Sequence, residues 1–81
     1  MSKFRNLSGK DIVKILSIFN FEVFSQTGSH IKLRRNTEIS SRETLIIPNH
    51  KSIDKGLLKA IFKQSTAYVS EAELRNHFYT E

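Results

Sequence analysis

The chain has 81 residues and a formal net charge of +5, with 13 Lys and Arg against 8 Asp and Glu. Its length allows one small domain over residues 1–81, and its 38% of hydrophobic residues, with six Phe among the aromatics, suffice for one modest core. The absence of cysteine excludes disulfides, thiolate metal ligands and thiol nucleophiles, and no apolar run approaches the ~18 residues of a membrane span.

The first predicted element is a helix from Gly9 to Phe19. The residues before it, MSKFRNLSGK, are charged and lack the apolar stretch of a signal peptide. Ser8 is a favourable N-cap, and Asp11 occupies the third helical position, where a carboxylate stabilises the helix start. Apolar residues then recur at helical spacing, and Asn20 suits the C-cap.

Three strand-like segments follow the helix. β-Branched and aromatic residues favour strands in FEVFSQ (21–26), HIKLRR (30–35) and RETLIIP (42–48). A tight turn is predicted between the first two, because Gly28 can adopt positive φ, and Pro48 ends the third. The short connections favour an antiparallel meander.

Two helices complete the predicted fold. LLKAIFKQS (57–65) carries an apolar stripe, and a shorter helix is predicted from Glu71 to Phe78. Ser70 and Glu73 have the spacing of a capping box at its start. The expected fold class is α+β, in the order α-β-β-β-α plus a short terminal helix. The helices cover one face of a three-stranded antiparallel sheet, and the other face stays open.

Strand alternation places a row of basic side chains on that open face. Ile31 and Leu33 point toward the helices, so His30, Lys32 and Arg34 point the other way. An imidazole, an ammonium and a guanidinium therefore share one row. A surface strand also presents polar side chains to water without any function, and for the two cations this alternative stays open.

The row contains the groups that RNA cleavage without a metal requires. A base must take a proton from the 2′-OH, or an acid must protonate the departing 5′ oxygen, and imidazole, with an ordinary pKa of ~6.5, suits either task. Lys32 and Arg34 would bind and neutralise the phosphate, which the turn at Gly28 and Ser29 lets backbone N–H groups approach. Because His30 cannot be acid and base at once, a second group must complete the reaction: a tyrosine, a lysine, or substrate and solvent.

Other kinds of site have weaker support in the sequence. His50 and His77 are isolated and form no HxH or HExxH pattern, so no metal site is expected. Ser29 and His30 are neighbours on a strand and point to opposite faces, which disfavours a Ser-His-Asp triad. No Gly-rich nucleotide loop is present, so no cofactor is expected. His50, just past the third strand, either stabilises a turn or flanks the site at His30.

Two segments, TGSHIKLRR and TLIIPNHKSIDKGLLKAIFKQ, resemble the HicA-type toxins of bacterial toxin–antitoxin systems, also grouped as YcfA-like proteins. The resemblance covers roughly residues 8–75. This chain departs from the family pattern at Leu57, where the family often has Thr, and its 34–43 segment is somewhat long. The family pattern is an opening helix, a G-S-H strand start, a strand ending near IPxH and a helix after Lys-Gly. The matching segments here are Gly9–Phe19, Gly28-Ser29-His30, Ile47-Pro48-Asn49-His50 and Gly56–Gln64.

The resemblance implies a fold like that of double-stranded-RNA-binding domains. It also implies a ribosome-independent mRNA endonuclease in which His30 is the single catalytic histidine. The implied partner is a HicB-type antitoxin that covers the active face, in a hetero-oligomeric complex. We therefore expect a cytoplasmic toxin that needs no cofactor, acts on mRNA and has no membrane partner.

Two other functions remain as alternatives at this point. The first is a non-catalytic RNA-binding module of the same fold, which would recognise duplex shape over ~16 bp. Duplex binders of this type use a basic helix start, whereas KSIDKG contains an acid. The second is a protein-binding adaptor whose basic face meets an acidic partner, with no salt-dependent affinity for RNA.

Overall fold

A computed structural model of the protein describes residues 3–36 and 42–80. In chain order the elements are β1 (Lys3–Phe4), α1 (Gly9–Ile18), β2 (Glu22–Thr27), β3 (His30–Asn36), β4 (Arg42–Pro48), α2 (Lys55–Ser65), α3 (Glu71–Phe78) and β5 (Tyr79–Thr80). The predicted α+β order is confirmed. The largest boundary difference is at α2, which begins at Lys55 rather than Leu57, because the Asp54 carboxylate accepts a hydrogen bond from the Leu57 N–H at 2.9 Å and caps the helix.

The central sheet is antiparallel, with strand order β2-β3-β4. Its helix-facing side is apolar and packs with the three helices into one core. The sheet contributes Ile31, Leu33, Leu45 and Ile47, and the helices contribute Ile12, Ile15, Leu16, Leu58, Ile61, Phe62, Leu74 and Phe78. The opposite side of the sheet is the open face, as predicted.

The start of α1 is held by a capping box. The Ser8 hydroxyl accepts a hydrogen bond from the Asp11 N–H at 3.0 Å, and the Asp11 carboxylate accepts one from the Ser8 N–H at 2.9 Å. The hydrogen bond from the Ser8 backbone, and after it one with the Ser8 side chain, holds the pKa of the Asp11 carboxyl below its ordinary value. Because this pKa is lowered, the ionised carboxylate stabilises the fold above about pH 4, and this contribution is lost as the group protonates in stronger acid.

The end of α1 turns the chain into the sheet. Phe19 is the C-cap, and Asn20, which was predicted for that position, follows it with φ 74°. The Phe21 N–H donates to the carbonyl of Leu16 at 3.2 Å, as in a Schellman motif. Asparagine tolerates this left-handed conformation better than most residues, and Phe21 enters the core directly after it.

Gly9 marks the closest approach between α1 and the end of β4. Its N–H donates to the His50 carbonyl at 2.9 Å. A Cβ at this position would collide with the Pro48 carbonyl oxygen and lie 2.9 Å from the Asn49 Cα. The helix therefore reaches β4 only because residue 9 has no side chain.

Replacing Gly9 with alanine is expected to lower the free energy of unfolding by about 2 kcal/mol, since backbone must move to admit the methyl group. Urea denaturation measures the change. Gly56→Ala is the matched control, because there a Cβ would meet only the Asp54 carboxylate oxygen at 3.4 Å. A Gly9→Ala protein as stable as Gly56→Ala would contradict the close packing at Gly9.

Arg35 joins three parts of the fold beneath the sheet. Its Nε donates to the Glu43 carboxylate at 2.6 Å, and its two terminal nitrogens donate to the carbonyls of Phe19 at 2.9 Å and Tyr68 at 2.8 Å. The guanidinium also lies 4.8 Å from the centre of the Phe21 ring. One side chain thus connects the end of α1, the segment after α2 and β4.

The two ends of the described chain meet in a small sheet that the sequence analysis missed. β1 and β5 pair antiparallel, and the rings of Phe4 and Tyr79 stack with centroids 4.3 Å apart. The predicted capping box of α3 is wrong, since Ser70 is the N-cap but its side chain makes no cap hydrogen bond. The first turn of α3, including Glu73, is exposed, so water can satisfy its N–H groups.

Candidate active site

His30 begins β3 directly after the tight turn that closes the β2–β3 hairpin. Gly28 has φ 58°, the left-handed conformation that glycine adopts most easily. His30 pairs with Thr27 across the hairpin and with Pro48 of β4 on its other side. The histidine is therefore held at one end of the central strand by pairing on both edges.

The predicted basic row is present on the open face. Ile31 and Leu33 are buried in the core, whereas His30 is exposed and Lys32 and Arg34 are half-buried. At a rise of ~3.3 Å per residue, the Cα atoms of His30 and Arg34 lie about 13 Å apart along the strand. The row is thus longer than a single phosphate group.

Phe24 supports the cations of this row. The register between β2 and β3 shifts at Phe24, which lies in a β-bulge with its side chain 52% exposed. The Arg34 guanidinium lies 3.4 Å from the centre of the Phe24 ring, and the Lys32 ammonium lies 5.7 Å from it. Arg34 Nε is buried without a hydrogen-bond partner among the described residues. The stack orients Arg34 without neutralising its charge.

A groove of about 310 Å³ lies at the β4 edge of the open face, where α2 runs beside the strand. Both His30 and His50 line it. The other lining residues are Ile46, Pro48, Leu57, Ala60, Ile61 and Gln64. The Asn49 N–H donates to the Ser29 carbonyl at 2.6 Å, so the end of β4 adjoins the turn before His30. The end of β4 therefore lies next to the turn before His30, which is the arrangement in which His50 would flank a site at His30.

The predicted site residues fall into two places on one face. Gly28, Ser29 and His30 lie at the turn end beside the groove. Arg34, at the far end of the row, lines a separate depression with Glu22, Val23, Phe24 and Asn36. His77 lies outside both places, on α3, with its ring 5.7 Å from that of Phe19.

Two other features are absent from residues 3–36 and 42–80. No group of three or more His, Asp or Glu side chains there is arranged to hold a metal ion. None of the helices in the same ranges is long and apolar enough to cross a bilayer.

A family model described as the HicA toxin of bacterial toxin–antitoxin systems matches residues 9–66, more than two thirds of the chain. The matched range contains α1, the central sheet and α2, and with them His30, His50 and the basic row. Comparison with curated proteins and with solved structures gives no match. The extent of the family match, together with the helix–sheet–helix fold, shows that this chain is a member of the HicA toxin family.

Proposed function

We propose that this toxin is a ribosome-independent endoribonuclease that cleaves mRNA on the open face of its sheet without a metal ion. His30 acts as general acid or base. The observation that carries the proposal is the exposed imidazole at the head of β3, in one row with two cations and beside a groove. Family membership supports the toxin role, and this geometry supports the chemistry.

The basic row positions RNA along β3. Lys32, two residues from His30, lies nearest to it and neutralises the scissile phosphate. Arg34 lies about 13 Å from His30 and binds the chain further along, oriented by its stack on Phe24. Gly28 and Ser29 shape the turn, so that backbone and phosphate can approach closely.

The direct test incubates the purified protein with single-stranded mRNA in the presence of EDTA. Discrete cleavage products separated on a denaturing gel are the expected result. Retardation without cleavage would instead favour the RNA-binding module. That module is less well supported, because Asp54 is the N-cap of α2 and its negative charge would repel the phosphates of a duplex that approached this helix start. An absence of both cleavage and salt-dependent affinity would favour the protein-binding adaptor.

Lys32→Ala is expected to weaken RNA binding about tenfold and to reduce the slope of log affinity against log salt by ~0.7, the value for one phosphate contact on a single strand. The measurement is fluorescence anisotropy at several salt concentrations, with His30→Ala also present to prevent cleavage. Lys14→Ala is the control, because Lys14 is exposed on α1, which packs on the covered side of the sheet. An equal loss in both variants would show that only net charge matters.

The proposed inhibitor is a HicB-type antitoxin that covers the open face in a hetero-oligomeric complex in the cytoplasm. The surface offers large apolar side chains beside the basic row, with Ile46 51% and Phe24 52% exposed. Apolar anchors surrounded by cations suit an acidic protein partner. Stoichiometric loss of cleavage on addition of the antitoxin is the expected outcome.

A further inference from the structure

We infer that His30 and His50 form a catalytic pair, in which one imidazole takes the proton from the 2′-OH and the other gives a proton to the departing 5′ oxygen. The inference rests on the proposed ribonuclease function and adds the second proton-transfer group that the chemistry requires. His50 lies 20 positions away in sequence, so only the fold can bring both histidines to the lining of one groove.

The two histidines line one groove. His30 pairs with Pro48 across the β3–β4 ladder, and His50 follows Pro48 by two residues. Both residues are part of the lining of the groove of about 310 Å³ beside α2. This volume lies at the lower end of the range for small-ligand sites, which suits a single nucleotide at the scissile bond.

His30 and His50 are the ionisable residues among those that line the groove in the described part of the chain. Besides the two histidines, its lining residues in the described part of the chain are five apolar residues and the amide of Gln64. No lysine, tyrosine or carboxylate is among them.

Backbone hydrogen bonds on both sides hold the segment that carries His50. The Asn49 N–H donates to the Ser29 carbonyl at 2.6 Å, which ties it to the turn before His30. The His50 carbonyl accepts from the Gly9 N–H at 2.9 Å, which ties it to the start of α1. His50 is exposed and outside any helix or strand, yet its main chain is fixed relative to His30, as a two-residue mechanism requires.

The proposed step is balanced in protons and bonds. The base removes the 2′-OH proton, the O2′–P bond forms and the P–O5′ bond breaks. The acid then gives one proton to O5′. The products are a 2′,3′-cyclic phosphate and a 5′-hydroxyl end. One imidazole gains a proton and the other loses one, so exchange with solvent restores both, and no oxidant or metal takes part.

A leaving-group experiment tests the pair. The substrate is an RNA that carries sulfur in place of the bridging 5′ oxygen at a cleavage site mapped with the wild-type protein. Sulfur departs without protonation, so the acid becomes dispensable. His30→Ala and His50→Ala are each expected to slow cleavage of ordinary RNA at least about 100-fold. The sulfur substrate should restore one of them to within about tenfold of wild type and leave the other slow. The restored variant identifies the acid.

Two results would overturn the pair. The first is a His50→Ala protein that cleaves ordinary RNA within about fivefold of wild type. The second is an equal response of the two variants to sulfur, whether both are restored or neither is. His50→Gln, which keeps the size and polarity of the side chain, must show the same defect as His50→Ala, and thermal unfolding confirms that each variant is folded. His77→Ala controls for the loss of an imidazole outside the groove.

The experiment also separates this inference from the proposed function. If the wild-type protein cleaves no RNA, the ribonuclease proposal itself fails. If His30→Ala is inactive and His50→Ala is normal, the ribonuclease proposal stands and only the pair fails.

Discussion

Replacing His30 with alanine is expected to abolish RNA cleavage and growth arrest while leaving the fold and antitoxin binding intact. The imidazole is exposed and contributes nothing to the core, so its loss should change the free energy of unfolding by less than about 0.5 kcal/mol. General acid–base catalysis contributes typically about 10²- to 10⁴-fold, and the cleavage rate should fall by that amount. Fragment formation on a denaturing gel and colony growth after induction are the measurements.

The control for this prediction is His77→Ala. It removes an imidazole from α3, away from the open face, and should leave cleavage at the wild-type rate. Urea denaturation of both variants shows whether a loss of activity reflects a loss of fold. A His30→Ala protein that cleaves RNA at a normal rate would show that catalysis lies elsewhere in the chain.

Replacing Arg35 with alanine is expected to lower the free energy of unfolding by about 3 kcal/mol, the largest stability effect that we predict. The side chains of Arg35 and Glu43 are only 19% and 18% exposed, and their ion pair is 2.6 Å long. The substitution leaves Glu43 and the carbonyls of Phe19 and Tyr68 without their donor. In a domain of this size, with marginal stability, such a loss should leave a large unfolded fraction at 37 °C, measured by circular dichroism.

Arg75→Ala is the matched control, because it also removes an arginine that faces a glutamate. The Arg75–Glu71 pair is 3.9 Å long and largely exposed, and such pairs contribute less than about 1 kcal/mol. Arg35→Lys tests the geometry, since a lysine cannot reproduce the fork that reaches three acceptors. Equal stability of Arg35→Ala and Arg75→Ala would contradict the role of Arg35 as a connector.

Most of the fold follows from local patterns. The α1 N-cap at Ser8, the hairpin turn at Gly28 and the strand ending at Pro48 depend on neighbouring residues, and each is present where the sequence predicted it. Local pattern misled at Ser70, where the residue types of a capping box are present but the hydrogen bond is not. Residue types show which bond can form, but the bond also depends on the backbone conformation of the N-cap residue, which has φ −90° and ψ 168° at Ser8 but φ −53° and ψ 131° at Ser70.

Less of the candidate site than of the fold could be predicted from the sequence. Alternation along β3 placed His30, Lys32 and Arg34 on one face, because a strand has a fixed period of two. Phe24 supports Arg34 through a bulge, which shifts the register of β2 and leaves no clear signal in the sequence. His50 had two interpretations in the sequence, and its place beside the groove that His30 also lines became visible only in the folded structure.

Arg34 and Arg35 show most clearly the difference between what the local sequence determines and what tertiary packing decides. They are adjacent and chemically identical, yet one lies on the open face against Phe24 and the other beneath the sheet against Glu43. The sequence by itself determined the order of the three helices and of the three strands in the central sheet, the face that each residue of β3 presents and the family to which the chain is similar, since these depend on short-range spacing. The tertiary structure alone decided which distant groups meet: Arg35 with three acceptors, Gly9 with the end of β4, and Asn49, which precedes His50, with the turn before His30. Contacts between residues far apart in sequence arise only when the chain packs around one core, and no local period encodes them.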